Sequence, residues 1–128
     1  MKVLLDTHAM LWWLADDPRL SNKARQTIAE GRNQLFWSIA SAFELAVKVG
    51  AGKLVLGRSL RSLFAEIVSE QGAELLPMTH EHCVRLSNLE LHHRDPFDRM
   101  LVAQALEEGI PLLTADPKMG LYPIDRLW

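Results

Sequence analysis

Residues 95–115, DPFDRMLVAQALEEGIPLLTA, contain the signals of a whole helix and of the strand that follows it. Asp95 and the proline after it form a helix start, because aspartate caps free N–H groups and proline suits the first helical position. Apolar residues then recur at helical spacing as far as Gly109, which predicts a helix over 96–108. The apolar run at 110–115 predicts a buried strand, so this stretch favours a sheet covered by helices.

The rest of the chain repeats this alternation of apolar runs and amphipathic stretches. Further strands are predicted at 2–6, 35–37 and 74–78, with a short one within 122–128. Further helices are predicted at 8–15, 21–30, 38–49 (starting at Ser38 or Ser41), 59–70 and 79–89. Strands separated by helices imply right-handed crossovers. We therefore expect a three-layer α/β fold whose central, mostly parallel sheet of four or five strands is flanked by helices.

Length and composition narrow the class of protein. The 128 residues are 48% hydrophobic, which suits one domain over 1–128 with a self-sufficient core. The formal charge of −2 excludes a strongly basic nucleic-acid binder. The apolar runs are too short to cross a bilayer, the N-terminus lacks a secretory signal, and Cys83 has no disulfide partner. A soluble cytoplasmic protein with no membrane partner is expected.

One segment is locally cationic. Residues 45–65 contain four basic residues and no acid: Lys48, Lys53, Arg58 and Arg61. Such a segment can face phosphate groups. A solvated loop and helix edge explains the same charges, and the sequence leaves both interpretations open.

Three carboxylates fall at positions that suggest more than solubility. Asp6 ends the first predicted strand, and Asp116 follows the apolar run 111–114, so both should lie at the edge where parallel strands end. Glu44 belongs to a helix that is apolar on most faces, where an unpaired carboxylate is costly. An ion pair with Lys48 at i+4 is the alternative for Glu44.

The predicted helix at 96–108 adds a fourth acid. Capping explains Asp95, and the helix dipole could explain Asp98 as well. However, Asp98 shares its stripe with Leu101, Val102 and Ala105, which should face the sheet. We therefore separate the two, with Asp95 as the cap and Asp98 at the sheet edge.

Convergence of Asp6, Glu44, Asp98 and Asp116 would require compensation. Two carboxylates about 5 Å apart repel by roughly 3 kcal/mol at an effective dielectric of about 20, and several such pairs rival the stability of a small domain. Protonation or a divalent cation could relieve this. Oxygen ligands without histidine or cysteine suit Mg²⁺ or Mn²⁺, with a bound water activated for phosphodiester cleavage.

Three stretches together resemble a known family. VLLDTHAMLWWL (3–14), SIASAFELAVKVG (38–50) and DPFDRMLVAQALEEGIPLLTAD (95–116) are similar, in order and spacing, to the PIN domain and within it to VapC-type ribonuclease toxins. The resemblance implies Mg²⁺- or Mn²⁺-dependent endonucleolytic cleavage of RNA, neutralisation by a cognate antitoxin, and a homodimer.

The resemblance also implies roles for individual residues. The metal-binding, catalytic acids fall on Asp6, Glu44, Asp98 and Asp116, with Asp95 as a further possible ligand. Thr7, Thr114 and Arg99 are expected to support the acids or contact phosphate. Lys48, Lys53, Arg58 and Arg61 are expected to bind RNA.

Other functions were weighed against this one. A zinc site from His80, His82, Cys83 and the His92–His93 pair lacks the spacing of a closed tetrahedral site. A phosphatase with Asp6 as nucleophile is disfavoured by His8, which stands where a second aspartate is expected. A PIN-like binding module without activity remains an alternative, although the acids are intact.

Overall fold

A computed structural model describes the whole chain, residues 1–128, as a three-layer α/β fold. The strands are β1 (Lys2–Leu5), β2 (Gln34–Ser38), β3 (Glu74–Leu76), β4 (Leu112–Leu113) and β5 (Arg126–Leu127). The helices are α1 (Thr7–Leu14), α2 (Asn22–Ala29), α3 (Ile39–Gly50), α4 (Leu60–Ser69), α5 (His80–Ser87) and α6 (Pro96–Glu108), with a 3-10 helix at Pro117–Leu121. All neighbouring strands pair in parallel, in the order β3-β2-β1-β4-β5.

Side chains of β1 point alternately to the two faces of the sheet, and each face is covered by its own hydrophobic core. Val3 and Leu5 are buried in the cluster formed with α1, α2 and α4. Leu4 points to the other face, into the cluster that contains the apolar side of α6. The sheet is therefore covered on both faces, and its central strands are apolar on both sides.

The predicted elements are all present. The helix at 96–108 has the predicted bounds, the ends of the other helices and of the first four strands shift by at most two residues, and the last strand occupies only Arg126–Leu127 of the stretch 122–128. Ser38, rather than Ser41, caps α3, because its hydroxyl accepts a hydrogen bond from the Ala40 N–H. The strand predicted at 110–115 pairs only at Leu112–Leu113. Its neighbours carry loop contacts instead, including the bond from the Leu4 N–H to the Pro111 carbonyl.

A buried amide ties the helices on one face together. Gln104 of α6 accepts a 2.5 Å hydrogen bond from the Ser38 hydroxyl and donates one of 3.3 Å to the Pro77 carbonyl. Since Ser38 caps α3, this contact fixes α3 and α6 relative to each other. None of the helices has the length and apolar character needed to cross a membrane.

Candidate metal and active site

Asp6 and Glu44 form what we call the inner pair, at the carboxyl end of the central strands. Asp6 is 6% exposed and follows β1 as the cap of α1, accepting from the Ala9 N–H at 2.7 Å. Its second oxygen accepts from the Thr114 hydroxyl at 2.5 Å. Burial raises the pKa of Asp6, and these two hydrogen bonds oppose that rise. Both oxygens of this carboxylate are held in place.

Glu44 reaches the same place from α3. It is 2% exposed; one oxygen accepts from the Thr7 hydroxyl at 2.7 Å and the other from the Lys48 ammonium at 2.6 Å. The pair with Lys48 therefore exists, but the carboxylate is buried and does not belong to an exposed strip. Hydrogen bonding to Glu44 raises the pKa of Lys48, whose charge is thus directed at the acids.

Asp98 and Asp116 form the outer pair, with side chains 23% and 32% exposed. Asp98 lies in the first turn of α6, where burial, followed by the charges of Asp95 and Glu44, raises its pKa to about 7. Asp95 caps α6, its Oδ1 accepting from the N–H groups of Phe97 at 2.8 Å and Asp98 at 3.2 Å. Asp95 therefore makes the hydrogen bonds of a helix cap, and its negative charge also contributes to the raised pKa of Asp98.

Asp116 caps the 3-10 helix after β4. Burial favours the neutral acid, but the Lys118 N–H and the hydrogen bond and charge of His93 outweigh it, so the pKa of Asp116 is lowered. The Thr114 hydroxyl, which donates to Asp6, also accepts from the Asp116 N–H at 3.2 Å. Thr114 therefore joins the inner pair to the outer pair.

His93 bridges the outer pair, whereas from the sequence it was considered only as part of a zinc site. Its Nε2 lies 2.9 Å from an Asp116 oxygen and 3.3 Å from an Asp98 oxygen. One ligand atom from each of these three residues lies within 4.8 Å of the others. His93 sits in the loop before α6, where no periodicity marks it; its position two residues before the capping aspartate is the available signal.

The tautomer of His93 follows from its other ring nitrogen. Nδ1 lies 3.1 Å from the Asp95 backbone nitrogen, and a backbone N–H can only donate. Nδ1 is therefore the acceptor, and the ring proton is on Nε2. A metal-bound histidine usually donates through its other nitrogen, so this arrangement suits a hydrogen-bond donor to Asp98 and Asp116.

The donor set fits a hard divalent cation. Carboxylate oxygens come from β1, α3, α6 and the segment after β4, and threonine and histidine donors orient them. The pKa of Asp98 is raised partly by Asp95, Glu44 and Asp6, which shows that several carboxylates repel one another here. A cation bound by oxygen ligands, such as Mg²⁺ or Mn²⁺, relieves this repulsion.

A groove of about 690 Å³ reaches the acids from the side of Thr7 and Glu44. Lys48, Lys53 and Arg58 line it, together with apolar side chains such as Trp12. Arg58 also pairs with Glu66 at 2.7 Å, which uses part of its charge. Arg61 is exposed on α4 but is not among the groove-lining residues.

Arg99 does not reach the acids. Its guanidinium donates to the Leu89 carbonyl at 3.2 Å, and it forms no ion pair with a carboxylate. The reason is geometric, since Arg99 follows Asp98 by one residue and a helix turns adjacent side chains about 100° apart. Our expectation that Arg99 supports the acids therefore has no contact behind it.

The histidines predicted not to form a zinc site are separated. His82 is buried and contacts Glu108, whereas His80 and Cys83 are exposed. His8 is exposed and lies against Trp12, with ring centroids 5.8 Å apart.

Comparison with known proteins identifies similar chains. The model of the PIN domain family matches residues 3–124. A curated relative, Ribonuclease VapC22 of Mycobacterium tuberculosis, is 31% identical over 118 residues, covering 91% of this chain and 88% of that protein.

Solved structures share the fold at lower identity. VapBC2 from Rickettsia felis, bound to a DNA fragment from its promoter, aligns with a TM-score of 0.72 and 16% identity, covering 98% of this chain and 97% of that one. VapBC-1 from nontypeable Haemophilus influenzae aligns with a TM-score of 0.68 and 18% identity, covering 98% and 96%. These similarities concern the fold.

Proposed function

The chain belongs to the PIN-domain family, and from that premise we propose that it is a metal-dependent endoribonuclease of the VapC type, a toxin neutralised by a cognate antitoxin. The observation that carries the proposal is the clustering of four carboxylates. Thr114 joins Asp6 to Asp116, and His93 joins Asp116 to Asp98. Glu44 is close enough for its charge to raise the pKa values of Asp6 and Asp98. The family match and the ribonuclease relative support the same activity. We treat residues 1–128 as one PIN domain.

The proposed metal ligands are the inner and outer pairs, bound directly or through water, with Asp95 left to cap α6. A bound Mg²⁺ or Mn²⁺ supplies an activated water and neutralises charge on the phosphate. Thr114 and Thr7 orient the inner carboxylates, and His93 holds the two outer carboxylates together. Lys48 compensates the charge of Glu44.

The proposed substrate is single-stranded RNA, guided by the cationic groove. Lys53 and Arg58 line that groove and can contact phosphates, whereas Lys48 already pairs with Glu44. Arg61 is placed to add only long-range attraction. The cytoplasm is the proposed location, because RNA is met there and the free Cys83 suits a reducing compartment.

The proposed partners are an antitoxin and a second copy of this chain. The curated relative is a VapC ribonuclease, and structural neighbours are described as VapBC assemblies, which supports an antitoxin partner. An exposed apolar stripe on α3, formed by Ile39, Phe43 and Val47, supports a homodimer.

The test of this function is RNA cleavage by the purified protein with Mg²⁺ or Mn²⁺. We expect cleavage that is lost on chelation, recovered on adding back metal, and absent in Asp6→Asn. Activity that persists under chelation and in that variant contradicts the proposal. Metal titration by calorimetry distinguishes the proposed nuclease from an inactive binding module. We expect the nuclease to bind divalent cations and the inactive module to bind none.

The alternative of a phosphatase with Asp6 as nucleophile has a structural objection. Both Asp6 oxygens accept hydrogen bonds, from the Ala9 N–H and the Thr114 hydroxyl. A carboxylate held in this way is a poor nucleophile. A trapped aspartyl-phosphate would favour that alternative.

A further inference from the structure

A second opening borders the acids at residues that do not line the groove. It is a cleft of about 380 Å³ lined by Leu91, His92, His93, Arg94, Asp95 and Lys118. It shares no lining residue with the groove. The groove meets the acids at Thr7 and Glu44, whereas the cleft meets them at His93, which contacts the outer pair. Two openings with different lining residues therefore border the acids.

The cleft carries two positive charges that form no ion pair. Arg94 and Lys118 are exposed, and neither forms an ion pair, unlike Lys48 and Arg58 of the groove. The Lys118 backbone N–H donates to Asp116 at 2.9 Å, so this lysine stands directly beside the outer pair. Two free cations next to a cluster of acids are suited to a polyanion that must approach those acids.

The wall of the cleft is held in place by its own contacts. The His92 ring packs edge-on against Tyr122, with centroids 5.0 Å apart, and the His92 N–H donates to the Tyr122 hydroxyl at 3.3 Å. His92 Nε2 also lies 2.9 Å from Glu90. The loop that presents Arg94 is thereby anchored to a buried tyrosine.

We propose that this cleft binds the RNA nucleotides on one side of the scissile phosphate, with Arg94 and Lys118 contacting backbone phosphates, while the groove takes the other side. The inference rests on the proposed endoribonuclease function. An enzyme that cuts within a strand contacts nucleotides on both sides of the cut, and cations offset the repulsion between backbone phosphates and the carboxylates. Arg94 and Lys118 provide such cations on the side of the acids next to His93, which the groove does not include.

The first arm of the test measures RNA binding. In the Asp98→Asn background, which we expect to be inactive, the affinity for single-stranded RNA is measured against salt concentration. Arg94→Gln/Lys118→Gln should lower the slope of log affinity against log salt by about 1.4, since each phosphate contact contributes about 0.7 on single strands. The matched control is Lys2→Gln/Arg32→Gln, which removes two exposed charges near the starts of β1 and β2. The control should leave the slope unchanged.

The second arm measures cleavage in the protein with all acids intact. RNA oligonucleotides are shortened from one end or the other, up to one nucleotide from the mapped cut. Shortening the end that binds in the cleft should reduce kcat/KM of the wild type. The same shortening should not reduce kcat/KM of Arg94→Gln/Lys118→Gln any further, because that variant has already lost the contacts. An unchanged salt slope, or a full shortening penalty at both ends in the double variant, overturns the proposal while RNA cleavage itself stands. A wild type that neither binds nor cleaves RNA overturns the proposed function, and this inference with it.

Discussion

The inner and outer pairs contain the same chemical group in two different settings. Asp6 and Glu44 are almost fully buried, and the hydroxyls of Thr114 and Thr7 hold them at 2.5 and 2.7 Å. Asp98 and Asp116 are partly exposed and share one histidine. The inner pair is thus part of the packed structure, whereas the outer pair is open to exchange of ligands and to substrate.

The two pairs also differ in what they cost the protein. Asp6 accepts two hydrogen bonds that oppose, without cancelling, the rise in its pKa caused by burial. Asp98 is left with a pKa of about 7, caused by burial and by the charges of Asp95 and Glu44. A carboxyl that resists ionisation without metal is one that a divalent cation can stabilise. We infer that the inner pair supports the fold and that Asp98, of the outer pair, is strained for function.

Replacing Asp98 should have the largest effect on activity. Loss of contacts around a metal site typically costs about 10- to 100-fold, so Asp98→Asn, which removes a proposed ligand, should reduce RNA cleavage by more than about 100-fold. Single-turnover cleavage in Mn²⁺ measures this, with the exposed Asp125→Asn as the matched control. Cleavage within a few-fold of wild type would remove Asp98 from the site.

Replacing His93 should weaken metal binding without removing a ligand. His93→Ala should reduce Mn²⁺ affinity by about 10- to 100-fold, measured by calorimetry, because the outer carboxylates lose their shared donor. His93→Gln should retain most of the affinity, since its amide N–H can replace Nε2–H, and His92→Ala should bind as wild type.

The spectrum of bound Mn²⁺ tests the His93 assignment independently. Electron spin-echo spectroscopy should show no directly coordinated nitrogen, because the His93 ring proton occupies Nε2. A strong nitrogen coupling that disappears in His93→Ala would make the imidazole a ligand and contradict the donor role.

These residues also show how far the sequence leads. Asp95, Ser59 and Thr79 were predicted as helix starts and do cap α6, α4 and α5, because capping depends on a few adjacent residues. The apolar face that Asp98 shares with Leu101 and Val102, and by which we distinguished it from Asp95, is likewise a property of one helix. Such features can be predicted from short stretches of sequence.

Features that depend on distant contacts were not predicted. The strand order and the link from Gln104 to Ser38 join residues far apart in the chain. The bridging role of His93 depends on Asp116, 23 residues away. By contrast, the ion pair between Lys48 and Glu44 is local, and the sequence offered it as the alternative for Glu44. Arg99 was expected beside the acids, and helix geometry turns it to Leu89.

Removing a support of the inner pair should cost stability. Thr114→Val deletes the donor to Asp6 and the acceptor of the Asp116 N–H, so the free energy of unfolding should fall by about 1–3 kcal/mol. Urea denaturation measures this. Thr27→Val is the control, because that exposed hydroxyl bonds only within α2. A loss no larger than the control's would mean that the inner pair does not depend on its threonine.

The cap of α6 should matter least. Asp95→Asn keeps a capping side chain, so we expect the free energy of unfolding to change by about 1 kcal/mol or less and cleavage to continue. Thermal unfolding and the cleavage assay are read together. A folded but inactive Asp95→Asn would place Asp95 among the metal ligands and end the distinction between it and Asp98.

The central claim is that Asp98 is strained until metal binds, and the stability of metal-free Asp98→Asn tests it most directly. In the unfolded chain Asp98 ionises near the ordinary aspartate pKa of 3.8, whereas in the folded chain its pKa is about 7. Between those values only the folded state keeps the proton, so the wild type loses stability as pH rises from about 4 to about 7.

We therefore predict that, without metal at pH 8, Asp98→Asn has a larger free energy of unfolding than the wild type. The difference should vanish below about pH 4, where the aspartate is protonated in both states. Adding Mn²⁺ should reverse the order by stabilising the wild type. A metal-free Asp98→Asn that is less stable than the wild type at pH 8 would contradict the account.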